Sequence, residues 1–159
     1  GLYRVHLSFK KNKYYFFIFL TLISFNFVDI FRFHPFQGSY FNYFIYDERR
    51  NSFEVDYWGL AGVKFLEEVI SKEPNKNNIK VGVASYLPLE RSLKMLDNIN
   101  SSKIEIIGQD YANADFIFNN NISEVNKNFN DKYNIPSNLN LINEFFINGF
   151  MIYQVYQKN

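Results

Sequence analysis

The stretch IKVGVASYLPLERSLKML, residues 79–96, changes character halfway along. Its first part, residues 79–86, is a β-branched run bounded by NKNN before it and Pro88 after it, which reads as a buried strand. Its second part, residues 88–96, opens on Pro, which a first helical turn tolerates, and repeats apolar residues at 89, 93 and 96. A strand followed at once by a helix is the unit of an α/β fold. Upstream, Leu60, Val63, Leu66 and Ile70 recur at helical spacing with Lys64, Glu67 and Glu68 on the other side. Asp56 stands where a cap for that helix would sit. Downstream, KIEIIG and ADFIFN read as two more short strands, and the Asn-rich residues 119–141 predict a long loop with one helical turn. EFFINGFMIYQVYQ, residues 144–157, places two apolar runs around Asn148-Gly149, the strongest short hairpin signal. Residues 53–159 are thus expected to form a small α/β domain with a mostly parallel sheet and a C-terminal β-hairpin adding antiparallel strands at an edge.

The chain has 159 residues, enough for one compact domain and an appendage, and its net charge of +1 gives no field that favours nucleic acid. It contains no cysteine, which excludes disulfides, zinc–thiolate sites and thiol nucleophiles. Aromatic residues reach 20%, and many of them crowd between residues 14 and 46. The first residue is Gly rather than Met, so the chain is read as a fragment.

YYFFIFLTLISFNFVDIF, residues 14–31, is almost unbroken apolar sequence and as a helix would span roughly 27 Å, close to the hydrocarbon thickness of a bilayer. Thr21 and Ser24 can bond to their own helix backbone, while Asn26 and Asp29 fall near the far end, within reach of headgroups and water. Arg4, Lys10, Lys11 and Lys13 precede the run, and basic residues are sparse after it until Arg49 and Arg50. The positive-inside rule then puts residues 1–13 in the cytoplasm and everything after about residue 32 outside it. A cleaved signal peptide would need a small-x-small exit that FNFVDIFRF lacks, and a buried helix would need a polar stripe that residues 14–25 lack. The run is read as a transmembrane helix whose partner is membrane lipid.

Residues 32–52 form an aromatic junction. FRFHPFQGSYFNYFIY is too polar to span and too apolar for a simple linker, and Pro35 and Gly38 prevent one continuous helix. Aromatic rings with polar edges suit the headgroup layer. Phe31, Phe33, Phe36, Tyr40, Phe41 and Phe44 then seat the domain on the bilayer, or His34, Gln37, Tyr40 and Asn42 additionally line a site at its surface.

Little other chemistry is visible. There is no dinucleotide fingerprint, no P-loop and no Asp-x-Asp pair, and the two histidines, His6 and His34, flank the apolar run on opposite sides. Asp47, Glu48, Glu54 and Asp56 are close in sequence, as solvated surface acids often are. Asn100-Ser-Ser and Asn121-Ile-Ser match the glycosylation sequon.

HPFQGSYFN (34–42) followed by FEVDYWGLAGVKFLEEV (53–69) resembles the C-terminal part of bacterial polytopic glycosyltransferases related to the protein O-mannosyltransferases. The resemblance covers residues 14–159, and its specific part is about 34–62. His34, Pro35, Gln37, Tyr40, Phe41, Asn42, Asp56, Tyr57, Trp58 and Gly59 match, whereas Phe36, where Tyr is usual, and Gly38 and Ser39 depart. The resemblance implies a parent enzyme in the bacterial inner membrane that moves a sugar from a polyprenyl-phosphate donor to an extracytoplasmic acceptor. Its catalytic acids would lie in N-terminal membrane loops outside this chain, whose partner is then that missing portion, so the chain alone would be non-catalytic and hold no cofactor or metal. Trp58 would pack where the first helix meets the sheet, or it would stack on a sugar while Asp56 accepts hydroxyl bonds. The alternative expectation is a single-pass anchored domain that binds a glycan, peptide or partner subunit.

Overall fold

The computed structural model describes residues 13–32, 34, 36, 56, 59–122, 124, 126–147 and 149–158, and of Asn26 and Asp29 the backbone alone. Its contacts divide the chain into two units, Gly1–Gln37 and Gly38–Asn159.

In the first unit, helix α1 runs over Lys13–Arg32. Its 20 residues make it about 30 Å long, and it is long and apolar enough to cross a membrane. Ile23 alone among its described side chains is half-buried; the rest are exposed all round the axis. As expected, the hydroxyls are satisfied inside the helix, Thr21 Oγ1 donating to Phe17 O at 2.9 Å and Ser24 Oγ to Leu20 O at 2.8 Å. Arg32 supplies a cation in the last turn, where the helix dipole favours one. Of the residues expected to seat the domain on a bilayer, Phe31 is exposed at the end of α1 and Phe36 is buried, while Phe33, Tyr40, Phe41 and Phe44 lie outside the described residues.

In the second unit, α2 (Leu60–Lys72) leads into β1 (Ile79–Val83). Two short helices, α3 (Glu90–Leu93) and α4 (Asn98–Ser101), precede β2 (Ile104–Gly108) and β3 (Phe116–Asn119). A 3-10 helix at Lys127–Tyr133 then leads to the hairpin β4 (Leu139–Ile147) and β5 (Phe150–Lys158). The sheet order is β2-β1-β3-β5-β4. β1 pairs in parallel with β2 and β3, while β5 is antiparallel to both β3 and β4.

The sheet is therefore mixed rather than mostly parallel. The hairpin starts at Leu139, inside the stretch read as loop, and its second strand lies within the sheet. Burial explains this: Phe150, Ile152, Tyr153 and Val155 are all buried, and such a strand needs neighbours on both sides. Gly149 turns the hairpin at φ 80°. The strand read over 79–86 stops at Val83, because Ser85 Oγ accepts from the Leu87 N–H at 3.0 Å and turns the chain. The helix read over 88–96 keeps only Glu90–Leu93, since Met95 N bonds back to Ser92 O and Asp97 then caps α4 through the Asn100 N–H at 2.8 Å.

α2 covers one face of the sheet with Ala61, Phe65, Leu66 and Val69. Phe65 meets Phe118 of β3 at 5.0 Å and Tyr153 of β5 at 6.1 Å between ring centroids, the latter edge-on. Side chains alternate along a strand, so Ile117 points to the opposite face, where Tyr111, Ala114, Ala84 and Leu139 surround it. Glu68 ties the layers together, accepting from the fully buried Tyr153 hydroxyl at 2.9 Å and from Asn143 Nδ2 at 2.7 Å. Burial first, and the Glu68 carboxylate second, push the Tyr153 hydroxyl far above its ordinary pKa.

Glu68→Ala leaves that hydroxyl without its acceptor, which should cost about 1–3 kcal/mol in urea unfolding. Adding Tyr153→Phe removes the orphaned group and should return part of the loss. A Tyr153→Phe penalty of equal size in both backgrounds would show that the bond carries no coupling.

Candidate functional site

α2 is connected to β1 at its C-terminus, so its N-terminus lies at the carboxyl ends of β1 and β3. That is where an open α/β sheet forms a crevice. Among the described residues the buried polar side chains are Asp56, Ser85, Ser92 and Asn120, and all four lie at this end. Burying a polar group without a partner is costly, so such a concentration calls for a partner-by-partner account.

Asp56 caps α2, as its position in the sequence predicts. Its Oδ1 accepts the Ala61 N–H at 3.1 Å, satisfying one of the helix's unpaired donors. The cap reaches across an unusual turn: Gly59 N bonds to Asp56 O at 2.9 Å, and Gly59 itself takes φ 68°, a left-handed conformation that suits glycine. Ser92 of α3 donates its hydroxyl to Gly59 O at 3.0 Å. α3 approaches so closely that a Cβ at Gly62 would collide with Ser92 Oγ and Leu89 Cδ1. Glycine is thus required there by space.

The second carboxylate oxygen is different. Asp56 Oδ2 and Asn120 Nδ2 are both buried, and neither has a hydrogen bond of normal geometry. The Asn120 amide nonetheless lies near enough to favour the charged carboxylate, as do the Ala61 and Leu60 N–H groups. Desolvation outweighs all three and pushes the Asp56 carboxyl up to about 6. Asp56 is only 5% exposed, so the reading of residues 47, 48, 54 and 56 as solvated surface acids fails for this one. The physical reason is its position: a cap must enter the helix end, and here that end is covered by α3 and β3.

A second cluster sits on the other side of β1's end. The Tyr111 hydroxyl donates to Lys132 O at 2.7 Å and lies 3.3 Å from Val83 O, and burial, with Tyr133 nearby, pushes it up to about 12. Glu124 pairs with Lys132 and accepts from the Tyr133 hydroxyl at 3.1 Å. Lys132 holds the Glu124 carboxyl below its usual range, and Glu124 raises Lys132 in return. Lys132 is exposed and Glu124 partly so, and solvent screening keeps such a pair weak while it fastens the 3-10 helix.

Of the residues singled out in the sequence, Asp56 belongs to the buried cluster, and His34 is exposed in the turn after α1, its N–H donating to Phe31 O at 3.3 Å. Gln37, Tyr40, Asn42, Tyr57 and Trp58 lie outside the described residues. Asn120 was not legible. It is one of three consecutive asparagines, and only its place at the end of a strand entering the crevice distinguishes it. Among the described residues no three His, Cys, Asp or Glu side chains gather to hold a metal. Both serine hydroxyls are engaged with backbone, so the cluster can bind and release a proton at Asp56 but presents no activated nucleophile. Compared with protein-family models, with curated proteins and with solved structures, the chain matches none.

The raised carboxyl has a definite sign. A folded value of about 6 against 3.8 for the free group means the folded state holds its proton longer, so stability from Asp56 is full below 3.8 and lost as pH rises through 6. The loss amounts to about 3 kcal/mol. Urea midpoints of the full chain should fall over that window and be flatter for Asp56→Asn, and a wild-type curve rising through it would contradict the assignment.

Proposed function

We propose that this chain is the C-terminal, non-catalytic portion of an integral membrane glycosyltransferase. The parent would transfer a sugar from a polyprenyl-phosphate donor to an acceptor outside the cytoplasm. The observation that carries this reading is the order of parts along the chain: an apolar helix, exposed all round, is followed in sequence by the resembling residues 34–62 and then by an α/β unit. A helix with no buried face suits lipid and other membrane helices as its surroundings. On this reading α1 lies in the bacterial cytoplasmic membrane with residues after about 32 on its outer side. His34, Gln37, Tyr40, Asn42, Asp56, Tyr57 and Trp58 are the residues that the resemblance would assign to the lipid-linked sugar.

A second reading, a single-pass anchored binding domain, is favoured by one feature: the α/β unit closes an apolar core on both faces of its sheet from its own residues. The gene sequence upstream of the Gly1 codon separates the two. Several further membrane spans, with acidic residues in the first outer loop, are expected, and a start codon directly upstream would end the glycosyltransferase reading.

Topology is testable in the chain itself because it has no native cysteine. In intact cells, Ser102→Cys should react with a membrane-impermeant maleimide, while Ser8→Cys should react only after permeabilisation. The opposite labelling pattern would overturn the orientation, and solubility without detergent would overturn the anchor.

A further inference from the structure

The β4–β5 hairpin extends beyond the rest of the sheet. The ladder between β3 and β5 ends at Asn119 and Gln154, so Phe150–Tyr153 pair with β4 alone and the hairpin runs roughly 13 Å past the end of β3. Lys64 of α2 lies over the Phe145 ring and Phe65 meets Tyr153, which puts that face of the hairpin under the helix. Phe146, the next residue along β4, points to the other face beside its cross-strand partner Met151. It is 51% exposed, and Met151 and Ile147 are half-buried. From Phe145 to Gln157 no side chain carries a charge, and the nearest acid on the hairpin, Glu144, is held by Gln154 further from the tip. The opposite end of the sheet is charged: Lys76 pairs with Asp115 at 2.6 Å, Asn78 bonds to Glu105, and Lys158 donates to Ala112 O.

We propose that the tip of this hairpin rests on a lipid surface, with Phe146, Ile147 and Met151 entering the headgroup layer. The inference rests on the reading of α1 as a membrane helix and goes beyond it. The chain that follows α1 enters the α/β unit at the start of α2, and the hairpin tip lies at that same end, at the carboxyl ends of β1 and β3. An uncharged tip leaves water without stripping a charge, whereas turning the opposite end to lipid would desolvate Lys76, Asp115, Glu105 and Lys158. The exposed Lys64, over the Phe145 ring, sets a cation beside the tip, which suits phosphate headgroups. The contact is shallow, because the backbone groups of the turn keep water or headgroups as their partners. A second copy of the chain fits less well as the cover. The register of β4 shifts at Ile142, and such a bulge twists an edge strand away from further pairing.

The test is fluorescence quenching on the full chain in phosphatidylcholine vesicles that carry spin-labelled lipid. Single cysteines are introduced and labelled with an environment-sensitive dye at three positions: Leu20→Cys in α1, Phe146→Cys at the tip, and Ser102→Cys at the opposite end of the sheet. The dye at 146 should be quenched at least about twofold more than the dye at 102, because a spin label in the upper acyl chain reaches only what enters the interface. The dye at 20 should be quenched as well. Quenching at 20 with equal readings at 146 and 102 overturns the hairpin contact and leaves the anchor standing. Quenching at neither 20 nor 146 overturns both. A dye at 146 that is blue-shifted but unquenched, increasingly so at higher protein-to-lipid ratio, makes a second copy the cover and overturns the lipid contact. Met151→Cys, on the partner strand, takes the place of Phe146→Cys if that variant fails to fold, with the same outcomes. Adding Phe146→Asp to Met151→Cys should bring its quenching down to that at 102, and unchanged quenching would overturn the part given to Phe146.

Discussion

Phe65 stands between Phe118 and Tyr153, and the arrangement of the α/β unit depends on that contact. It is one fully buried ring touching strands that belong to different parts of the chain, one from the parallel half of the sheet and one from the hairpin. Removing such a ring typically costs about 3–5 kcal/mol, a large part of a small domain's stability. The contact also fixes the direction of α2. With Phe65 over β3 and β5, the helix start must fall over the end of β3, and Asp56 is carried in with it.

Two opposed effects meet at that start. A side-chain cap contributes about 1 kcal/mol, and helix dipoles favour a negative charge there by up to a similar amount. Desolvating the same carboxylate costs more, which is why its proton is held so strongly. Solvated caps avoid the conflict; Asp97, on the exposed α4, accepts from Asn100 in the same way, and its carboxyl is instead shifted down by that bond. The two aspartates show one interaction with opposite outcomes, decided by burial alone.

Much of this architecture was legible in the sequence. The helical spacing of Leu60, Val63, Leu66 and Ile70 gave α2, Asp56 read as its cap, and IKVGV, KIEIIG and ADFIFN each formed a strand. What was not legible depends on pairing over distance. Nothing in FMIYQVYQ says that β5 joins β3 rather than extending the outer edge, and the two options bury the same residues to different depths. The length of the second helix failed for a local reason: periodic leucines at 89, 93 and 96 outscored the Asp97 cap that restarts the chain. The site was half visible. Asp56 stood out by its neighbours, whereas Asn120 matters only through the carboxylate it faces.

The position of β5 has a consequence for biosynthesis. β1, β2 and β3 can associate as soon as they leave the ribosome, but the outer edge of β3 stays open until residues 150–158 arrive. Until then Phe116, Ile117 and Phe118 offer an unpaired, apolar strand to any other chain nearby. A premature stop that removes only the last strand would therefore leave a sticky half-sheet rather than a slightly shortened domain. Quality-control proteases and chaperones would treat it as unfolded, and a frayed or crowded C-terminus would do more harm here than a comparable change at the Asn-rich loop.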